Sequence, residues 1–190
     1  MSQKILIKEN KKLTYKQYFT IKDDKRYELI EGKLLMSPAP NTKHQRIIRK
    51  LLRLIENCLI NKKIKGEVFL SPIDVVFRED IVLQPDIVYI TEERKDIIKE
   101  RGIFGIPDLV IEVISPGSEK RDIVDKKRIY EESKVKEYWI VFPNEEFIEV
   151  LEYDEKGNRY KEIGVYNKEK ELESKVIKGL KIKVKEVFEI

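Results

Sequence analysis

Asp86 and Glu112 are the acidic residues placed where a divalent cation would be useful. Asp86 follows Pro85 at the head of the apolar run Ile87-Val88-Tyr89-Ile90, and Glu112 stands inside the apolar run Leu109 to Ile114. An isolated carboxylate in a buried strand is costly unless it is paired or bound to a metal. If the two runs pair as neighbouring strands, the two anions meet at one end of a sheet. Mg²⁺ or Mn²⁺ would relieve their repulsion and would take waters and phosphate oxygens into the rest of its shell. Such an ion lowers the pKa of a bound water and polarises a phosphoryl oxygen, which is what phosphodiester hydrolysis needs. The transition state also needs a cation. Lys126 is the candidate, four residues after Asp122 and four before Tyr130, so that a helix would set all three on one stripe. Lys127, about a quarter turn away, is the alternative.

The elements that must position these residues are legible in the pattern. Leu13, Tyr15, Tyr18, Phe19 and Ile21 suit a short amphipathic helix starting at Thr14. RYELIEGKLLMSP alternates about Glu31-Gly32 and predicts two short strands joined by a turn. The spacing of Ile47, Ile48, Leu51, Leu52, Ile55 and Leu59 predicts a helix over 42–61. Strands are expected at 67–70, 73–77 and 86–90, then a charged helix capped by Thr91 that ends in a loop at Gly102 and Gly105. A central strand over 108–114, a helix over 121–133 and a buried strand over 138–142 follow, and the tail reads as β-rich. The order helix, three strands, helix, strand is α/β, with a mixed sheet flanked by helices.

Composition narrows the alternatives. The chain has 190 residues, 41% of them hydrophobic, which is enough for one folded domain over 1–190. Charged residues reach 39%, a balance of Lys and Glu seen in heat-adapted proteins. The net charge of +4 helps to hold a polyanion without being that of a nucleic-acid coat protein. One cysteine, Cys58, excludes an internal disulfide and a cysteine-built zinc site, so a cytoplasmic location is expected. No apolar run is long enough to span a membrane, and none is expected as a partner.

Five stretches, RYELIEGKL, SPAPNTKHQRI, QPDIVYI, PDLVIEVISPGSEKRD and DKKRIYEESKVKEYWIVFP, together resemble the Uma2 family, also called DUF820, within the PD-(D/E)XK nuclease superfamily. The resemblance covers about 26–143 and implies a restriction-endonuclease-like αβββαβ core there. An N-terminal strand pair would precede it and a β-rich annex over about 144–190 would follow it. It implies a Mg²⁺- or Mn²⁺-dependent endonuclease acting on DNA, a homodimer being attractive because two sites address two strands. The alternative is a catalytically silent nucleic-acid-binding or oligomerisation module on the same fold. By position, Asp86 matches the aspartate of the motif and Glu112 its second acid. Where the motif expects lysine, two residues on, this chain has Ile114, and Lys126 takes the matching place on the next helix. The resemblance also points to Glu28 as a third carboxylate for the metal. His44, the only histidine, is a candidate phosphate or water contact, and Asp122 and Lys127 are further candidates for a supporting or phosphate-contact role. Lys134 stands where relatives have glycine before the Tyr138-Trp139 strand.

Overall fold

The computed structural model describes residues 12–189 apart from 24, 38 and 116–120, and for 121 and 122 the backbone alone. A short helix α1 (Tyr15–Tyr18) leads into the hairpin β1 (Tyr27–Ile30) and β2 (Lys33–Met36). Its two-residue turn puts Glu31 at φ 52° and Gly32 at φ 80°, the left-handed pair that suits a tight hairpin. A Cβ on Gly32 would come within 2.6 Å of Lys12 Cβ. The long helix α2 (Thr42–Lys62) follows, with Asn41 as its cap: the Asn41 side chain accepts from the His44 backbone N–H at 2.9 Å.

Next come β3 (Gly66–Leu70), β4 (Val75–Arg78), β5 (Ile81–Leu83) and β6 (Ile87–Thr91), a 3₁₀ turn over Glu92–Ile97, then β7 (Ile98–Lys99), β8 (Gly102–Phe104) and β9 (Leu109–Val113). A π-helical segment, Arg121–Lys126, runs directly into α3 (Lys127–Glu132). The chain ends with β10 (Glu137–Phe142), β11 (Phe147–Asp154), β12 (Arg159–Asn167), β13 (Glu171–Glu173), β14 (Lys181–Lys183) and α4 (Val184–Phe188).

Two six-stranded sheets form, ordered β2-β1-β5-β4-β8-β7 and β12-β11-β10-β9-β6-β3, with β13 and β14 as a separate pair. The second sheet is mixed: β9 and β10 run parallel and its other neighbours antiparallel. The alternation along its strands builds two cores. Ile87, Tyr89, Ile111, Val113, Trp139 and Val141 pack with α2, α4 and the β13–β14 region. Val88, Ile90, Val110 and Ile140 pack on the other side with Ile129 and Tyr130 of α3 and with the first sheet. The chain passes between the sheets five times, and two of these crossings, from β3 to β4 and from β5 to β6, bear on the site. Ser71 lies on the former, and Gln84, Pro85 and Asp86 make up the latter.

Several expectations change in detail. β5 is a separate strand, with all three residues buried, where the sequence suggests only a charged turn before the next strand. Three apolar residues are too few to show a period. The region ending at Gly102 and Gly105 forms the hairpin β7–β8 rather than a loop. β8 also pairs with β4, and a Cβ on Gly102 would meet the Asp74 carbonyl oxygen at 2.6 Å. The Thr91 hydroxyl caps no helix and donates instead to Asp108 Oδ2 at 3.1 Å. In the tail, β11 and β12 extend the central sheet, β13 and β14 pair with each other, and the helix α4 follows them.

Candidate active site

The seam between the sheets is lined by polar residues from six segments. A pocket of about 60 Å³ is bounded by Arg26, Glu28, Ser37, Pro40, His44, Gln45, Ser71, Gln84, Asp86, Glu112, Val113, Ser115 and Lys126. That volume holds a few waters or an ion with part of its shell.

Asp86 stands one residue before β6 begins its ladder. The register of β6 on β9 sets Ile87 opposite Ile111, and one further step brings Asp86 opposite Glu112. The Asp86 carboxylate is fixed through Oδ2, which accepts from the Val113 backbone N–H at 2.8 Å and lies 3.1 Å from His44 Nε2. His44 is placed for this by the first turn of α2. Its ring is buried, and Nδ1 has no hydrogen-bond partner among the described residues.

Glu112 takes an inward position on β9 that its neighbours Val110 and Ile114 fill with apolar groups, and only 3% of it is exposed. Its Oε1 accepts from Lys126 Nζ at 2.9 Å and from the Tyr130 hydroxyl at 2.6 Å. The same ammonium lies 3.0 Å from Glu28 Oε1, so Lys126 is held between a carboxylate of each sheet. Glu28 also accepts from the Gln84 backbone N–H at 3.0 Å and from Ser37 Oγ at 3.4 Å. Tyr130 is buried, and desolvation, with the Glu112 charge adding to it, holds its hydroxyl well above the ordinary tyrosine pKa. The phenol therefore stays protonated and donates.

The candidates read from the sequence thus divide. Asp86, Glu112, Lys126, Glu28 and His44 all line the one pocket. Lys127 points elsewhere, its ammonium 3.5 Å from Glu149 on β11. The Asp122 side chain lies outside the described residues. Ile114 packs in the apolar cluster beneath Glu112, and the ammonium beside that carboxylate comes from the helix. Tyr130, on the same stripe as Lys126, is buried in the core and donates a hydrogen bond to Glu112. Arg26, Ser71 and Gln84 are additions: Arg26 donates to Ser71 Oγ at 2.6 Å and to Gln84 Oε1 at 3.4 Å, and makes no ion pair among the described residues. Arg26 and Gln84 open the stretches RYELIEGKL and QPDIVYI and Ser71 stands in neither, and the contacts that bring the three together are long-range.

Three carboxylates thus line the pocket beside the basic side chains of Arg26 and Lys126. Among the described residues no group of three or more His, Cys, Asp or Glu side chains forms a ready metal cage. The oxygen donors of Asp86 and Glu112 nevertheless suit a hard cation that keeps several waters. Mg²⁺ binds in this way, through one or two carboxylates with phosphate oxygens completing its shell.

The sequence matches, over residues 14–185, the family model Uma2, described as "Putative restriction endonuclease". The chain belongs to the Uma2 family. The Uma2 chain is also similar in structure to a protein titled "Crystal structure of a putative nuclease belonging to DUF820 from Anabaena variabilis ATCC 29413". The TM-score is 0.76 at 20% identity, over 93% of this chain and 97% of that one. At that identity the likeness speaks for the fold. No curated protein matches it. Its restriction-endonuclease-like α/β fold is therefore established, and no helix among the described residues is long and apolar enough to cross a membrane.

Proposed function

We propose that this Uma2 protein is a Mg²⁺- or Mn²⁺-dependent endonuclease that hydrolyses phosphodiester bonds in DNA. Asp86 and Glu112 would hold the ion, and Lys126 would stand beside the scissile phosphate. The observation that carries this reading is the convergence of the two carboxylates, from antiparallel neighbours, on one pocket with a buried ammonium 2.9 Å from Glu112. The pocket opens beside the C-terminal end of β9, one of the two parallel strands, a position that α/β sheets favour for ligands.

When bound, the ion would supply an acidified water and a Lewis acid for the phosphoryl oxygen. The protein's own groups orient the parts. Val113 N–H and His44 fix Asp86 through one oxygen, so that the carboxylate presents its other oxygen without swinging. Tyr130 steadies Glu112, and Glu28 steadies Lys126. The Lys126 ammonium serves the charge that grows on the phosphate in the transition state. Arg26, carried by Ser71 and Gln84, adds a second positive group for an anionic substrate.

The test incubates plasmid and linear DNA with the protein and Mg²⁺ or Mn²⁺. Cleavage should require the metal and fall by at least about 100-fold in both Asp86→Asn and Glu112→Gln, since even residues behind metal ligands cost 10–100-fold. Full activity in both variants overturns the assignment. Ile114 favours a second reading, a nucleic-acid-binding module without turnover. That reading wins if DNA binds with a steep salt dependence and no metal supports cleavage. A homodimer would offer one site to each DNA strand, and sedimentation reads it directly.

A further inference from the structure

The first three turns of α2 carry Lys43, Arg46, Arg49, Lys50 and Arg53, with no acidic residue before Glu56. The helix buries His44, Ile47, Ile48, Leu51, Ile55 and Leu59. At 3.6 residues per turn, Arg46, Arg49, Lys50 and Arg53 fall within an arc of about 100° on the opposite face. The three arginines are exposed. None of the five cations makes an ion pair or a side-chain hydrogen bond among the described residues, whereas Lys95, Lys126, Arg128 and Lys136 elsewhere are paired.

This arrangement opposes the helix that carries it. Like charges three and four residues apart repel, and cations in the N-terminal half face the positive end of the helix dipole. The first turn holds no acid to offset this. A solvated face in a chain so rich in Glu would alternate its signs. The face also adjoins the pocket: Gln45 borders both the pocket and a neighbouring groove of about 350 Å³ lined by Arg46, Ile48, Arg49, Leu52 and Leu70. Arg46 to Arg53 spans about 10.5 Å of helix axis, on the order of three nucleotide rises at 3.4 Å each.

We infer that the outer face of α2 is the track along which the DNA backbone lies as it enters the pocket, with Arg46, Arg49 and Arg53 each contacting phosphate. This inference rests on the nuclease reading for its direction, since the strand runs from the arginines toward Asp86 and Glu112. The contacts carry no base information, so they set affinity and register and leave sequence preference to other surfaces.

Binding of a fluorescently labelled DNA duplex in metal-free buffer, followed by anisotropy across a salt series, is the test. The triple variant Arg46→Gln, Arg49→Gln, Arg53→Gln is compared with a control that removes equal charge far along the sequence, Lys156→Gln, Lys161→Gln, Lys178→Gln. Each lost contact should lower the slope of log K against log salt by about 0.9, and the α2 variant should bind at least about 30-fold more weakly than wild type at 0.1 M salt. The control should stay within about twofold. Because repulsion is relieved, the α2 variant should melt no lower than wild type. Should it melt lower, the single variants Arg49→Gln and Arg53→Gln decide the point by their slopes. Unchanged affinity and slope, or an equal loss in the control, overturns the track, and tighter binding of an RNA duplex overturns the choice of DNA. Hydrolysis of bis(p-nitrophenyl) phosphate, too small to reach α2, separates this from the nuclease reading. The α2 variant should retain that hydrolysis and Asp86→Asn should lose it. Retention by Asp86→Asn removes the nuclease reading while leaving the binding result to judge the track.

Discussion

Lys126 is the residue on which the pocket's electrostatics turn. Its buried ammonium compensates Glu28 and Glu112 together, and removing one partner of a buried ion pair leaves the other charge uncompensated. Lys126→Met should therefore destabilise the fold by about 3–5 kcal/mol in urea unfolding. Adding Glu28→Gln should recover part of that loss, because the two changes share one network. Full additivity would contradict the coupling. Tyr130→Phe removes a donor to a buried carboxylate and should cost about 1.5–3 kcal/mol. A loss within error would mean that the 2.6 Å contact does little. The residue scale also shows what the sequence can reveal. Asp86, Glu112 and Lys126 were visible because a charge in an apolar run, or at helical spacing from it, has few bland explanations. Arg26, Ser71 and Gln84 were invisible because polar residues beside turns are ordinary, and only contacts between segments remote in sequence bring them to the pocket.

Among the elements, β10 and the loop before β14 are joined by one buried acid. Glu137 accepts from Trp139 Nε1, from Ser174 Oγ at 3.1 Å and from the backbone N–H groups of Lys175 at 2.8 Å and Val176 at 2.9 Å. Burial raises its pKa above the usual 4.5, and these hydrogen bonds only partly oppose the shift. A carboxyl with a raised folded-state pKa contributes stability that is full below the unfolded value and is lost as pH rises through the folded one. Wild type should therefore gain stability from this group as pH falls toward about 4.5. Glu137→Gln should be less stable overall by about 1–3 kcal/mol and should lack that component. Urea midpoints for both proteins from about pH 8 to pH 5 read the difference in slope, and parallel curves contradict it. Long elements were the legible ones: α2 follows its apolar spacing to within a residue or two. β5, β7 and β8 were not, because runs of two or three residues show no period and are fixed by partners remote in sequence.

At the scale of the whole molecule, the tail closes one of the two cores. Leu172, Ile177, Leu180, Ile182, Val184, Val187 and Phe188 are buried in the cluster that α2 and the central sheet share. At about 1.5–3 kcal/mol for each buried side chain, their loss is on the order of the entire stability of a domain, about 5–15 kcal/mol. A chain truncated after Asn167 should be unfolded by circular dichroism at 25 °C, and a cooperative melt from it would contradict this packing. The continuous apolar run revealed the two-sided central sheet, since β9 is apolar on both faces except at Glu112. It could not reveal the second sheet packed on it, whose strands are only two to four residues long, nor that the candidate site lies on the seam between the two. The proposed function requires this seam to hold a divalent ion between Asp86 and Glu112. Titration of Mn²⁺ into the folded protein, followed by the paramagnetic signal of free Mn²⁺, tests it most directly. Wild type should bind Mn²⁺ saturably, with the affinity falling at least about tenfold in each of Asp86→Asn and Glu112→Gln while both variants remain folded. Equal binding by wild type and both variants would contradict the account.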